Sequence, residues 1–169
     1  MRRFSLESAH AAAAEGRTAI WVGDFLSSRG SDNVVLAAAL AQRPHWWVGP
    51  VLVPLGDLER LAGPEDDVLV RVPEDVWEDD VEAMQEHLEH GWEPPPVLAE
   101  YRDGRLLLQD GNHRYEALAR ENESHAWTLV FFESAAERES FLATRSADIR
   151  PDARTVKPTV RDGDHRGSE

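Results

Sequence analysis

The run Arg105-Leu106-Leu107-Leu108-Gln109-Asp110-Gly111-Asn112-His113-Arg114-Tyr115-Glu116-Ala117-Leu118 decides how this chain is read. Arg105 to Gln109 is apolar enough for a strand, Asp110-Gly111 is a tight turn, and Asn112 to Glu121 has helical composition. A helix that starts straight from a glycine turn leaves its first amides without internal partners, and with the helix dipole they attract an anion. Gly111 lets the backbone approach a ligand with no Cβ in the way. Arg114 offers a planar fork of donors to phosphate oxygens, and His113 adds a donor or a proton-transfer group. The junction therefore suits a di- or triphosphate, with Gly111, Asn112, His113 and Arg114 as the binding residues. The plainer alternative is a strand-to-helix turn in which Asp110 or Asn112 caps the helix and His113 and Arg114 are solvated. Asp110 has two roles open to it as well: a metal ligand or orienting group for His113, or a simple turn residue.

Reading outward, Asp103-Gly104 is a hairpin signal that joins this strand to Val97–Tyr101. Pro94-Pro95-Pro96 forces an extended lead-in. Before it, Asp79 and Asp80 open a helix that runs to His90, with Val81, Met84 and Leu88 as its apolar stripe and Trp77 as a staple ahead of it. His87 and His90 share a face, but without a third ligand they are read as dipole partners in the last turn. On the other side, Ala126 to Phe132 is a strand, and Ser134 with Glu137 forms a capping box for a helix to Thr144. The chain from Ser146 onward is polar and reads as a disordered tail.

The N-terminal third is less sharply patterned. Ser5 to Glu15 is a capped, alanine-rich helix, and Thr18 to Val22 has the composition of a strand. Ser31 or Asp32 caps a helix over Asn33 to Gln42, with Val34, Val35, Ala38 and Ala41 as its apolar stripe. Trp46 to Val48 and Val51 to Val53 are strands interrupted by Gly49-Pro50, and Asp57 to Leu61 reads as a short helix. Val68 to Val72 is a further short strand inside the acidic stretch Glu65 to Glu82, whose nine acids read as a solvated, charged segment. The expected fold is α/β (α+β), a small mixed sheet flanked by helices. Residues 1–45 form a helical extension, 46–145 the main domain and 146–169 the tail.

The order of helix, glycine, proline, strand, hairpin, strand and Asp-Gly-Asn-His-Arg helix resembles the ParB/sulfiredoxin superfamily. The likeness is carried by His87-Leu88-Glu89-His90-Gly91, Pro96-Val97-Leu98 and Gln109 to Leu118, with Val51 to Leu58 similar to that fold's first strand and turn. The resemblance implies that Gly111, His113 and Arg114 bind the phosphates of ATP, ADP or CTP, with Mg²⁺ bridging them. Asn112 stands where sulfiredoxins carry their cysteine, so sulfinic-acid reduction is excluded. Kinase relatives imply a Mg²⁺-dependent phosphotransferase or NTPase acting on a small polar acceptor, with His113 and an acid near Asp57 or Glu59 as catalytic groups. The residues alone favour Asp57 as the cap of a short helix. The alternatives are a ParB-like nucleotide-switched regulatory module that forms a homodimer, and a ParB-like nuclease. The polar segment after the last helix holds no helix-turn-helix, which argues against a chromosome-segregation role.

Composition narrows the partners. The 169 residues carry 32 acids against 18 bases, a net charge of −14, and 17 of the bases are arginines, scattered singly apart from the Arg2-Arg3 pair. DNA binding normally needs a basic face, so it is disfavoured. There are no cysteines, hence no disulfide, thiolate zinc site or thiol nucleophile. No apolar run reaches bilayer length and no signal peptide is apparent, so the expectation is a cytoplasmic protein with no membrane partner. Trp21, Trp46, Trp47, Trp77, Trp92 and Trp127 are mostly expected in the core, with Trp46, Trp47 or Trp92 available to stack on a base.

Overall fold

The computed structural model describes residues 3–145, so the tail expected over 146–169 lies outside the described residues. Three helices come first: α1 (Leu6–Ala14), α2 (Thr18–Leu26) and α3 (Val34–Ala41). Strand β1 (Trp46–Pro54) leads through a 3-10 turn (Leu55–Asp57) into β2 (Leu58–Arg60), followed by the two-residue strands β3 (Ala62–Gly63) and β4 (Val70–Arg71). Helix α4 (Glu74–Glu89), the hairpin β5 (Val97–Arg102) and β6 (Arg105–Asp110), α5 (Asn112–Arg120), β7 (His125–Phe132) and α6 (Ala135–Arg145) complete the fold. The result is a mixed α/β fold. Its five-stranded sheet has the order β1-β7-β5-β6-β2, and β3 pairs with β4 beside it. β7 runs parallel to β5, and β6 parallel to β2, while the other two pairings are antiparallel.

Both sheet faces are covered, as central strands with few polar residues require. On one face Val97, Ala99, Leu106, Leu108, Val130 and Phe132 pack with Leu118 of α5 and Phe141 of α6. On the other, Leu98 and Leu129 meet Ala9 of α1 and Trp21, Val22, Phe25 and Leu26 of α2. The period-2 alternation of β5 and β7 sends neighbouring residues to opposite cores. Trp77 and Val81 of α4 pack on Ala117 of α5 in a third cluster.

Several local expectations change. Thr18 to Val22 is helical, not extended. Carried on to Leu26, the apolar residues Trp21, Val22, Phe25 and Leu26 fall at helical spacing and all are buried. Asp57 to Leu61 is not a helix; after the 3-10 turn, Leu58 to Arg60 adds an edge strand to β6. That parallel pairing is set by a distant partner, which local composition does not reveal. α4 begins at Glu74 instead of Asp79, after Pro73 and with Glu74 and Asp75 in its first turn. Trp77 is therefore inside the helix, almost fully buried, and is not a staple ahead of it. Trp46 to Pro54 is one strand with a bulge, since Val48 to Val51 on β1 spans only Val130 to Thr128 on β7. Gly49 sits in that bulge at φ +113, where a Cβ would collide with the Thr128 carbonyl. The cap of α3 is Asn33, whose side chain accepts from the Leu36 amide, and neither Ser31 nor Asp32 plays that part. In α6 the Ser134 hydroxyl accepts from the Glu137 amide, but the Glu137 carboxylate reaches the Glu133 amide, one residue short of a closed capping box.

Candidate functional site

β6 ends at Asp110, Gly111 turns the chain at φ +97, and α5 starts at Asn112. No side chain caps the start of α5, so its first amides keep the polarity of an anion site. A Cβ on Gly111 would lie 2.6 Å from Val97 Cγ1 and 3.0 Å from Arg114 Nη2. Only glycine fits this position on both conformation and space.

The side chains of the junction are tied into the fold. Asn112 is buried; its Oδ1 accepts from the Leu61 and Ala62 amides at 2.9 and 3.2 Å, and its Nδ2 donates to the Leu108 carbonyl at 3.2 Å. It thereby fastens β6 and α5 to Leu61 and to the start of β3. Arg114 is buried and donates from Nη1 to the Pro95 and Pro96 carbonyls (2.8 and 2.9 Å) and from Nη2 to Asp110 Oδ2 (2.6 Å). Its guanidinium carbon lies 5.4 Å from the Phe25 ring centre. Burial pulls the guanidinium below its ordinary value, and the charge and hydrogen bond of Asp110 oppose that shift. Asp110 Oδ1 accepts from Ser31 Oγ at 3.0 Å and Asn33 Nδ2 at 3.1 Å. Both Asp110 oxygens are thus engaged by protein donors, and the residue acts here as an anchor for Arg114 and for the α2–α3 connection. Among the described residues no group of three or more His, Asp or Glu side chains is placed to hold a metal ion. The protein side chains therefore do not supply a fitting cage for Mg²⁺.

His113 lies on the α4 side of α5, half-buried, with its ring 4.4 Å from the Trp77 ring. Its Nε2 is buried with no hydrogen-bond partner, and Asp80 Oδ2 is 3.6 Å away, too far for a hydrogen bond. Burial pushes the imidazole pKa below 6.5; Asp80 and Asp110 resist, and Arg114 and Arg60 reinforce the shift. Arg60 also stacks on this cluster, its guanidinium carbon 4.7 Å from the Trp77 ring centre, and pairs with Glu65 and Glu116. Glu116 also binds Arg120, which forks onto Glu78 at 2.7 and 2.8 Å.

The structure does not bring Asp57 and Glu59 to this junction. Leu58 is level with Leu106 and Glu59 with Leu107. Strand rise then places Asp57 about 16 Å and Glu59 about 10 Å from the level of Asp110. Asp57 pairs with Arg145 and Glu59 with Arg105, both in half-exposed or exposed ion pairs. Neither is placed to act on a phosphate at α5.

Beside the junction lies a cleft of about 800 Å³ between the end of α4, α5 and the β1–β7 edge. Trp92, Trp127, Pro95, Val97 and Leu118 form its apolar wall, and Arg114 contributes to the same wall. Glu93, Glu121, Glu123 and His125 supply its polar rim. The volume falls in the range of small-ligand sites. Of these residues only Trp92 and Arg114 stood out in the sequence. Trp127 sits in a run that reads as buried strand, and the three glutamates are scattered along the chain. Glu100 was missed as well: it is buried on β5 and satisfied by Arg102 and Gln109.

No protein-family model matches the chain, and no curated protein matches it. Among solved structures it is similar to one described as a Pnob8-like ParB-N domain, at 12% identity and a TM-score of 0.35, over 64% of this chain and 40% of that one. The match thus spans less than half of that protein's length. No helix among the described residues is long and apolar enough to cross a membrane.

Proposed function

We propose that this chain is a nucleotide-binding module that works by binding, with ATP, ADP or CTP seated in the cleft beside α5. The observation that supports this most is the position of Arg114. It belongs to the cleft wall, and its bonds to Pro95, Pro96 and Asp110 leave Nε–H and one Nη2–H without a partner among the described residues. A phosphate oxygen is a natural acceptor for those groups. Trp92 and Trp127 give the same cleft flat apolar surfaces on which a base can stack. The acidic rim of Glu93, Glu121 and Glu123 opposes a free polyphosphate, and Mg²⁺ carried on the nucleotide would reduce that repulsion.

Calorimetric titration with ATP, ADP and CTP, with and without Mg²⁺, tests this on wild type, Trp92→Ala and Arg114→Lys. One nucleotide should bind, at least about tenfold more weakly in each variant, since lysine keeps the charge and loses the fork. Absence of binding by any of the three, or binding indifferent to both substitutions, would overturn the reading.

A second reading is phosphoryl transfer to a small polar acceptor, and His113 is what favours it. Its imidazole, held below its ordinary pKa by burial and with Nε2 unpaired, is equipped to take a proton; it neighbours Arg114 in sequence but does not line the cleft, so the reading requires His113 to turn toward the bound phosphate. Transfer from the bound nucleotide to an acceptor, abolished in His113→Gln with binding retained, would establish it. No step of that reading runs through Asp57 or Glu59.

A further inference from the structure

α3 reads Val34-Val35-Leu36-Ala37-Ala38-Ala39-Leu40-Ala41, without one polar side chain, in a chain that is 30% charged. A helix that is apolar all round is ordinarily buried all round, yet none of its residues is buried. Leu36, Ala37 and Leu40 pack inward against α2. The opposite face carries Val34 at 56% and Val35 at 79% exposure, with Ala38, Ala39 and Ala41 also exposed. The stripe Val34, Val35, Ala38 and Ala41 expected to face the core is thus the one that faces outward.

We propose that this face is covered by a second copy of the same chain, its α3 packed antiparallel across a two-fold axis at the middle of the helix. Charge at the helix ends points to this occupant. Asp32, exposed and in no ion pair among the described residues, stands two positions before α3, and Arg43, exposed, stands two positions after it. The two are symmetric about the helix centre. An antiparallel copy sets Asp32 of each chain beside Arg43 of the other, and a two-fold interface needs that self-complementarity. Arg43 reaches Glu133 of its own chain and has the remaining donors of its fork for the second carboxylate. The face between carries no charge, so a basic partner has nothing on it to recognise. Alanines at 38, 39 and 41 let two backbones approach closely. The helix is only about 12 Å long. Such a contact buries less than the roughly 800 Å² per partner of a standard interface, so the dimer is concentration-dependent.

The chain has no cysteine, so single cysteines report the geometry without background. In sedimentation the wild type should pass from monomer to dimer as concentration rises, and Val35→Glu should weaken that association at least tenfold. Under oxidising conditions Ala38→Cys, next to the axis, should cross-link to its own copy. Val34→Cys should not cross-link alone but should do so when mixed with Ala41→Cys. A wild type that stays monomeric, a dimer indifferent to Val35→Glu, or Val34→Cys linking to itself as readily as Ala38→Cys would overturn the proposal. Circular dichroism of each variant confirms that α3 is still folded, and none of these positions lies in the nucleotide cleft.

Discussion

Asp110 grips Arg114 at 2.6 Å with one carboxylate oxygen, while Ser31 and Asn33 hold its other oxygen. The pair therefore links three parts of the molecule: the β6–α5 junction, the Pro95-Pro96 lead-in and the N-terminal helices. Removing one member of a buried ion pair strands its partner's charge. Arg114→Ala and Asp110→Ala should each cost about 3–5 kcal/mol in urea unfolding. The double variant should cost less than the sum, because the second change removes an already unpaired charge. A single-variant cost below about 1 kcal/mol would mean that the pair behaves as a solvent-exposed bridge.

The strand–Gly111–helix junction was legible because its signals are local: a turn glycine, a short apolar strand and an amphipathic helix. The hairpin at Asp103-Gly104, the strand Ala126 to Phe132 and the α6 helix were legible for the same reason. Errors gathered where a partner far along the chain decides. Leu58 to Arg60 is a strand only because β6 lies beside it, and α2 is a helix whose period emerges only when Phe25 and Leu26 are included. The identities of Asp110 and Arg114 marked a site, but their hydrogen bonds to Ser31, Asn33, Pro95 and Pro96 are tertiary. Nothing in the spacing shows that the fork of Arg114 is shared between backbone carbonyls and a carboxylate.

Asn112 has its own testable role. It satisfies the amides of Leu61 and of Ala62 at the start of β3 and one carbonyl of β6, all with one side chain. Asn112→Ala strands those groups and should cost about 1–3 kcal/mol. Amide hydrogen exchange should rise first at Leu61 and Ala62. Unchanged protection there would show that the strand pairing, not Asn112, holds this segment.

Asp57 and Glu59 are separated from the junction and take part in ion pairs with Arg145 and Arg105. Asp57→Ala and Glu59→Ala should each change unfolding free energy by no more than about 1 kcal/mol and leave nucleotide titrations unaltered. Loss of ligand binding or of any phosphoryl transfer in either variant would return these acids to the site and require a conformation in which the β2 edge closes on α5.

His113 gives the fold a pH dependence whose sign follows from its environment. Burial holds its folded pKa below the 6.5 of an unperturbed imidazole. Between the folded value and 6.5 the unfolded chain binds more protons than the native one, so stability rises with pH through that window. The contribution is fully present above 6.5 and is lost as pH falls toward the folded pKa. Urea midpoints of wild type should therefore drop on acidification from about pH 7.5 to 5.5, and more steeply than those of His113→Gln, which cannot titrate there. Asp80→Asn, by removing the carboxylate that opposes the shift, should lower the imidazole pKa further. Ring-proton titration by NMR reads that change directly. A His113 that titrates at or above 6.5, or parallel stability profiles for wild type and His113→Gln, would contradict the buried, unpaired Nε2 on which the proton-transfer reading also depends.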